Sequence, residues 1–184
     1  MQDDLGQTPF EQTPWQTTGP FFHFALPWKG GGDLVSGPGL DHPAIEVGGR
    51  VFDGAGTPVP DALIETWQAD PDGRMAPPGF VGFGRTCTDE HGDWRVHTLR
   101  PGSAAGPNGR PQAPHIAIGV LGRGLNKRLV TRAYFADAPE NADDAILALV
   151  PPARRGTLLA RLEGSLWRFN IVLQGERETV FFDI

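Results

Sequence analysis

The chain has 184 residues, a formal net charge of −6, 25 glycines, 18 prolines and a single cysteine, Cys87. A chain of this length buries roughly 70% of the surface its unfolded form exposes, so it needs no disulfide for stability, and one cysteine cannot form an internal one. The acidic, evenly mixed charge argues against nonspecific nucleic-acid binding, and no apolar run approaches the ~18 residues of a membrane span.

The start, "MQDDLGQTPFEQTPW", lacks the basic and apolar stretches of a secretory leader. With the lone cysteine, this predicts a cytoplasmic protein with no nucleic-acid or membrane partner. The abundance of glycine and proline, with few long helical patterns, favours an all-β fold.

Residues 1–44 show no periodicity and are predicted to form an N-terminal arm and loop. "TPWQTTGPFFHFALPW" is aromatic but is interrupted by Pro14, Pro20 and Pro27, which excludes a helix interior or a central strand. So many aromatic residues do not suit a disordered tail, so an ordered, extended arm is expected. "KGGGDLVSGPG" reads as a flexible loop.

A domain is predicted over 45–184. "IEVGGRVF" alternates, with Ile45, Val47 and Val51 on one face. After the turn "DGAGTPVP" comes the strand "DALIETWQAD". "GFGRTCTDEHGDWRVHTLRPG" reads as strand, turn, strand. "HIAIGVLG" and "KRLVTRAYF" are two strands about the turn "RGLN". "NADDAILAL" is predicted to be helical, with Asp143 and Asp144 in its first turn and Pro151–Pro152 ending it. "ARRGTLLARLEG" reads as a second short helix, with Leu158 and Leu162 on one face. "LWRFNIVLQG" places Trp167, Phe169, Ile171 and Leu173 together, and "RETVFFDI" is expected as the last strand. The sum is an antiparallel β-sandwich with an extended arm and a helical insertion near 140–163. Ile45, Val47, Trp67, Ile116, Ile118, Phe169 and Ile171 are expected in its core.

Few residues stand out chemically. "DEHGD" (89–93) and "DPDG" (70–73) read as turns. The second lacks the glutamate of a calcium loop. Cys87 reads as a buried structural thiol. His23, His42 and His97 share no ligand spacing. In "QAPHIAIGVLG", alternation places His115, Ala117 and Gly119 on one face. A histidine at 117 would complete a metal clamp, and the residue there is alanine.

Five segments together, "VFDGAGTPVPDALIETWQADPDG", "GRTCTDEHGDW", "LRPG", "PHIAI" and "RFNIVLQGERETVFFD", resemble the intradiol ring-cleavage dioxygenases across most of the chain. That family opens an ortho-diphenol ring with O2 and a ferric ion held by two tyrosines and two histidines. The resemblance aligns those ligands with Met75, with the tyrosine-free "SAAGPNG", and with His115 and Ala117. Three of the four are missing. Gln112 stands where iron-binding members carry an arginine, and Tyr134, the only tyrosine, matches neither ligand. The resemblance therefore implies a chain with a vacated iron site (Met75, His115, Ala117). Such a chain pairs with an iron-binding chain of the same family and has no activity alone. It also implies that Thr17, Gly19 and Pro20 of the arm, and Arg132, help wall the partner's pocket for a small aromatic acid. Two alternatives stay open: a non-enzymatic, transthyretin-like binding module, and a self-sufficient dioxygenase with unusual ligands.

Overall fold

A computed structural model describes residues 12–35, 42–106 and 109–183. The strands in chain order are β1 (Ala44–Phe52), β2 (Leu63–Trp67), β3 (Phe83–Cys87), β4 (Asp93–Leu99), β5 (Ala104–Ala105), β6 (Pro111–Gln112), β7 (His115–Leu121), β8 (Leu129–Phe135), β9 (Leu159–Glu163), β10 (Leu166–Arg168) and β11 (Ile171–Val172). One layer runs β3-β2-β7-β8. The other holds β4, β1, β10 and β9, and β9 also pairs with the end of β8, so the two layers form one nearly closed sheet. Most pairings are antiparallel; β1 with β10 and with β11, and β8 with β9, are parallel.

The core lies between the layers. Val47, Val51, Trp94 and Val96 from one side meet Ile64, Ile116, Ile118 and Val120 from the other. Of the expected core residues, Val47, Ile116, Ile118, Phe169 and Ile171 are buried, and Ile45 is half-buried against them. Trp67 is the exception, 39% exposed. In β2 it is Ile64 and Thr66 that point inward, so strand alternation puts Glu65 and Trp67 on the outer face.

Four sequence expectations change. "LWRFNIVLQG" is not one strand. It divides into β10 and β11, because Phe169 N–H donates to the Gly48 carbonyl and Arg50 N–H to Asn170 Oδ1. The Phe169 carbonyl then lies over Gly49, where a Cβ would come within 2.0 Å of it. "RETVFFDI" forms no strand among the described residues. It is tied on by an isolated bridge from Phe182 to Val130 and a bond from Thr179 N–H to the Val172 carbonyl. "ARRGTLLARLEG" is helical only at its start: α3 (Pro152–Arg155) and one 3₁₀ turn give way to β9, so Leu162 is on a strand. Its companion α2 (Ala145–Leu149) has Asp144 as its N-cap rather than within its first turn.

The fourth change concerns the glycine run. "KGGGD" is not a free loop. Arg85 N–H donates to the Gly31 carbonyl, His97 N–H to the Gly32 carbonyl, and Leu34 N–H to the His97 carbonyl. The segment thus straps β3 of one layer to β4 of the other. A Cβ on Gly31 would sit 2.4 Å from the Arg85 carbonyl and one on Gly32 3.0 Å from that of Arg95. Glycine is required here for close backbone approach, not for looseness. Residues 36–41 of the same stretch, and 1–11 of the arm, lie outside the described residues.

The arm has no helix or strand over residues 12–19 and then makes one helical turn, α1 (Phe22–Ala25), between Pro20 and Pro27. Both expected turns form: Asp89 Oδ1 accepts from His91 and Asp93 N–H, and Asp70 Oδ1 from Asp72 and Arg74 N–H. Cys87 is half-buried, and burial raises its thiol pKa. No described helix is long and apolar enough to cross a membrane.

Candidate functional site

The β7–β8 hairpin builds the site. Its register sets His115 opposite Tyr134 and Ala117 opposite Arg132, with Trp67 of β2 beside Ala117 on the other side. Paired strands lie about 4.8 Å apart. The outer face of this layer therefore carries Trp67, Ala117 and Arg132 in one row, with His115 and Tyr134 at its end. Ile116 and Ile118 are buried on the inner face.

The His115 imidazole and the Tyr134 ring are 5.4 Å apart between centroids, with planes inclined at 36°. His115 Nδ1 lies 2.7 Å from the Ala113 carbonyl. A carbonyl only accepts, so Nδ1 carries the proton and Nε2 holds the lone pair. Burial, then the nearby Arg132 guanidinium, pushes the imidazole pKa down to about 4. The ring is neutral at physiological pH. Burial pushes the Tyr134 phenol up to about 12, so it stays protonated. Its O–H donates to Asp144 Oδ1 at 3.2 Å.

Asp144 is 1% exposed and fully used. Oδ1 also accepts from Ile146 N–H (2.9 Å) and Leu147 N–H (2.7 Å), capping α2, and Oδ2 accepts from Ala113 N–H at 2.8 Å. Arg132 Nη1 donates to Gln112 Oε1 and, at 3.4 Å, reaches the Tyr134 oxygen; the guanidinium carbon is 5.9 Å from the Phe182 ring centre. All of these partners are neutral.

Could this set hold a ferric ion? Such an ion needs anionic donors. Here the available groups are one neutral imidazole, one protonated phenol, a methyl group at Ala117, a guanidinium that would repel it, and the single carboxylate of Asp144, both of whose oxygens already accept from backbone N–H groups. Met75 is 48% exposed on the β2–β3 loop, where it bridges to Ala69. Among the described residues no group of three or more His, Cys, Asp or Glu is placed to hold a metal. The residues do not fit the ion.

The arm residues are elsewhere. Gly124 N–H donates to Thr17 Oγ1 at 2.9 Å, and Thr18 O–H to the Gly122 carbonyl at 3.2 Å. These bonds pin the arm to the turn between β7 and β8. Gly122 is five residues along from Ala117, about 17 Å in extended chain. Among the described residues no hydrogen bond joins arm to Arg132. Gly19 and Pro20 are exposed, and a side chain added at Gly19 would meet no atom of the described residues within 4 Å.

Tyr134 and Asp144 are site residues that reading the sequence did not identify. Folding the two strands about "RGLN" would have paired His115 with Tyr134. Asp144 was read as a first-turn acid of the helix, which revealed neither its N-cap role nor its bond to Ala113.

A dioxygenase family model matches residues 36–175. The chain belongs to the intradiol dioxygenase family. It is 40% identical to the protocatechuate 3,4-dioxygenase alpha chain of Burkholderia cepacia, over 96% of this chain and 100% of that one. It is 39% identical to the alpha chain of Pseudomonas putida, over 94% and 96%. The beta chain from Burkholderia cepacia is 38% identical over a shorter stretch, 73% of this chain and 66% of that one. Among solved structures, the dioxygenase domain of a carbohydrate-binding fusion from Streptomyces sp. SirexAA-E superposes with a TM-score of 0.61 at 28% identity, covering 81% and 88%. The 3-chlorocatechol 1,2-dioxygenase of Rhodococcus opacus 1CP superposes at 0.63 with 21% identity, covering 76% and 62%; it shares the fold. The family is iron-dependent.

Proposed function

We propose that this chain is the iron-free α chain of a protocatechuate 3,4-dioxygenase, a cytoplasmic enzyme whose β chain holds the ferric ion. The observation that carries this reading is the donor set at the vacated site: a neutral His115, Ala117 in place of a second imidazole, and the Arg132 guanidinium beside them. The end-to-end likeness to α chains and the shorter likeness to a β chain support it. The reaction adds both atoms of O2 across the bond between the two hydroxylated ring carbons of protocatechuate, giving 3-carboxy-cis,cis-muconate. A ferric ion held by the partner chain would supply the chemistry that makes the diphenol reactive toward O2.

This chain's own part is to shape the pocket. We assign residues 1–44 to an arm that reaches the partner and 45–184 to the sandwich. Within the arm, Thr17 anchors to the hairpin, and Gly19–Pro20 present bare backbone to the substrate cavity. Support comes from Gly19, where nothing among the described residues requires the absence of a side chain. Arg132 supplies the positive charge that meets the substrate carboxylate.

The test is coexpression with a β chain that retains both tyrosines and both histidines. About one iron per αβ pair and turnover of protocatechuate are expected, with neither in this chain alone. One tightly held iron in the isolated chain would overturn the reading. Failure to copurify with any such β chain would favour the transthyretin-like binding module instead.

A further inference from the structure

We infer that Gln112 is a positioning residue for substrate selection, holding the Arg132 guanidinium in place while leaving its charge free. The inference rests on the reading of Arg132 as the group that meets the substrate carboxylate.

Gln112 ends β6, in the small β5–β6 hairpin, and its side chain is clamped at both ends. Its Oε1 accepts from Arg132 Nη1, and its Nε2 points to the Ala105 carbonyl at 3.5 Å. A guanidinium can only donate and a carbonyl can only accept, so one orientation of the amide satisfies both. The stem is fitted too: a Cβ at Gly106 would come within 2.8 Å of Gln112 Cγ and 3.0 Å of its Nε2.

What Gln112 contacts is a cation that makes no direct ion pair among the described residues; the Asp144 carboxylate reaches it only through the Tyr134 hydroxyl. Arg132 meets an amide, a phenol and an aromatic ring. The nearest buried carboxylate, Asp144, already accepts from Tyr134, Ala113, Ile146 and Leu147. A carboxylate at position 112 would neutralise the guanidinium. An apolar side chain would release it. The amide fixes the geometry and leaves the charge for an incoming anion. Ala117, opposite Arg132 in the register, leaves the approach open.

Two variants of the α chain, assembled with its β chain, separate these roles. Gln112→Glu keeps the shape and adds a charge; Gln112→Met keeps the length and removes the acceptor. Steady-state kinetics are compared for protocatechuate and for catechol, which has no carboxylate. Gln112→Glu should raise the protocatechuate KM about tenfold or more, the scale of one charge-assisted hydrogen bond, with kcat changed less. The ratio of protocatechuate KM to catechol KM should rise by the same factor. Gln112→Met should raise that ratio less. Iron per αβ pair reports assembly in both variants. An unchanged KM ratio in Gln112→Glu overturns the inference. Arg132→Ala tells the two readings apart: if it also leaves the ratio unchanged, Arg132 does not read the carboxylate. If Arg132→Ala raises the ratio and Gln112→Glu does not, only the role of Gln112 fails.

Discussion

Replacing Asp144 tests whether the vacated site is still a structural centre. Its carboxylate caps α2, takes the Tyr134 O–H and takes the buried Ala113 N–H. Asp144→Ala removes all of these at once. A lost N-cap costs ~1 kcal/mol. Each buried donor left without an acceptor costs roughly 1–3 kcal/mol, and two are stranded. Asp144→Ala should therefore destabilise the chain by about 3–7 kcal/mol. Asp144→Asn is milder. Its carbonyl oxygen can keep the cap and Tyr134, but its NH2 then faces the Ala113 N–H, donor against donor. That should cost about 1–3 kcal/mol. For a chain of this size each kcal/mol lowers Tm by about 2–4 °C, so Asp144→Ala should melt about 10 °C below the parent. Thermal unfolding of the purified assembly, with iron per αβ pair as a check on the partner, measures this. If Asp144→Ala melts within about 3 °C of the parent, the buried bonds do not carry the energy assigned to them. If Asn and Ala are equally damaging, the cap and Tyr134 bonds contribute little.

The remaining predictions concern pH and packing. His115 titrates near 6.5 when unfolded and near 4 when folded, because burial disfavours its charge. The native state thus binds fewer protons between those values, and stability must fall as pH falls from 6.5 to about 4. At ~1.4 kcal/mol per pH unit, the loss reaches about 3 kcal/mol. Asp93 and Asp137 are held below the usual carboxylate value by Arg50 and Arg100. Their contribution is lost only at lower pH, so the upper window isolates His115. Chemical denaturation across pH 4–7 should show a slope that His115→Gln flattens; an unchanged slope would assign it elsewhere. Gly49→Ala should lower Tm by about 5 °C, since overpacking costs roughly 1–3 kcal/mol and the opposing atom is the Phe169 carbonyl, which cannot rotate away.

The sandwich was legible because strand alternation is local. The faces of β7 follow from "HIAIGVLG" alone, and the buried set Ile116, Ile118 and Val120 agrees with it. Residues whose environment depends on distant chain were not legible. Trp67 alternates as expected, but whether its face is inner or outer is set by Ile64 and Thr66 meeting the opposite sheet. The "GGG" run has the composition of a linker, and only the closeness of the Arg85 and Arg95 carbonyls gives it the opposite meaning. Leu158 and Leu162 fit a helix by spacing, yet 159–163 is captured by Tyr134–Phe135 on one side and β10 on the other. The missing ligands were visible as residue types. The bond between Arg132 and Gln112 was not, because the two meet only across the folded hairpins.

If the proposed function holds, the arrangement around Arg132 shows how a metal site is lost without collapse of its surroundings. Removing a cation from a buried polar cluster usually leaves uncompensated donors and acceptors. Here each is settled locally: the imidazole is neutral and bonded to Ala113, the phenol is protonated and bonded to Asp144, and Asp144 is spent on a helix cap. Arg132 makes no direct ion pair among the described residues, and the Asp144 carboxylate reaches it only through the Tyr134 hydroxyl. Had the cluster been selected only to be inert, a carboxylate beside Arg132, or a neutral residue in its place, would serve better than a cation held by an amide. A charge kept exposed to neutral partners, on the outer face of the sheet and beside the small Ala117, is arranged for something that arrives. Under the proposed function, that is an anionic substrate presented at the contact with the partner chain.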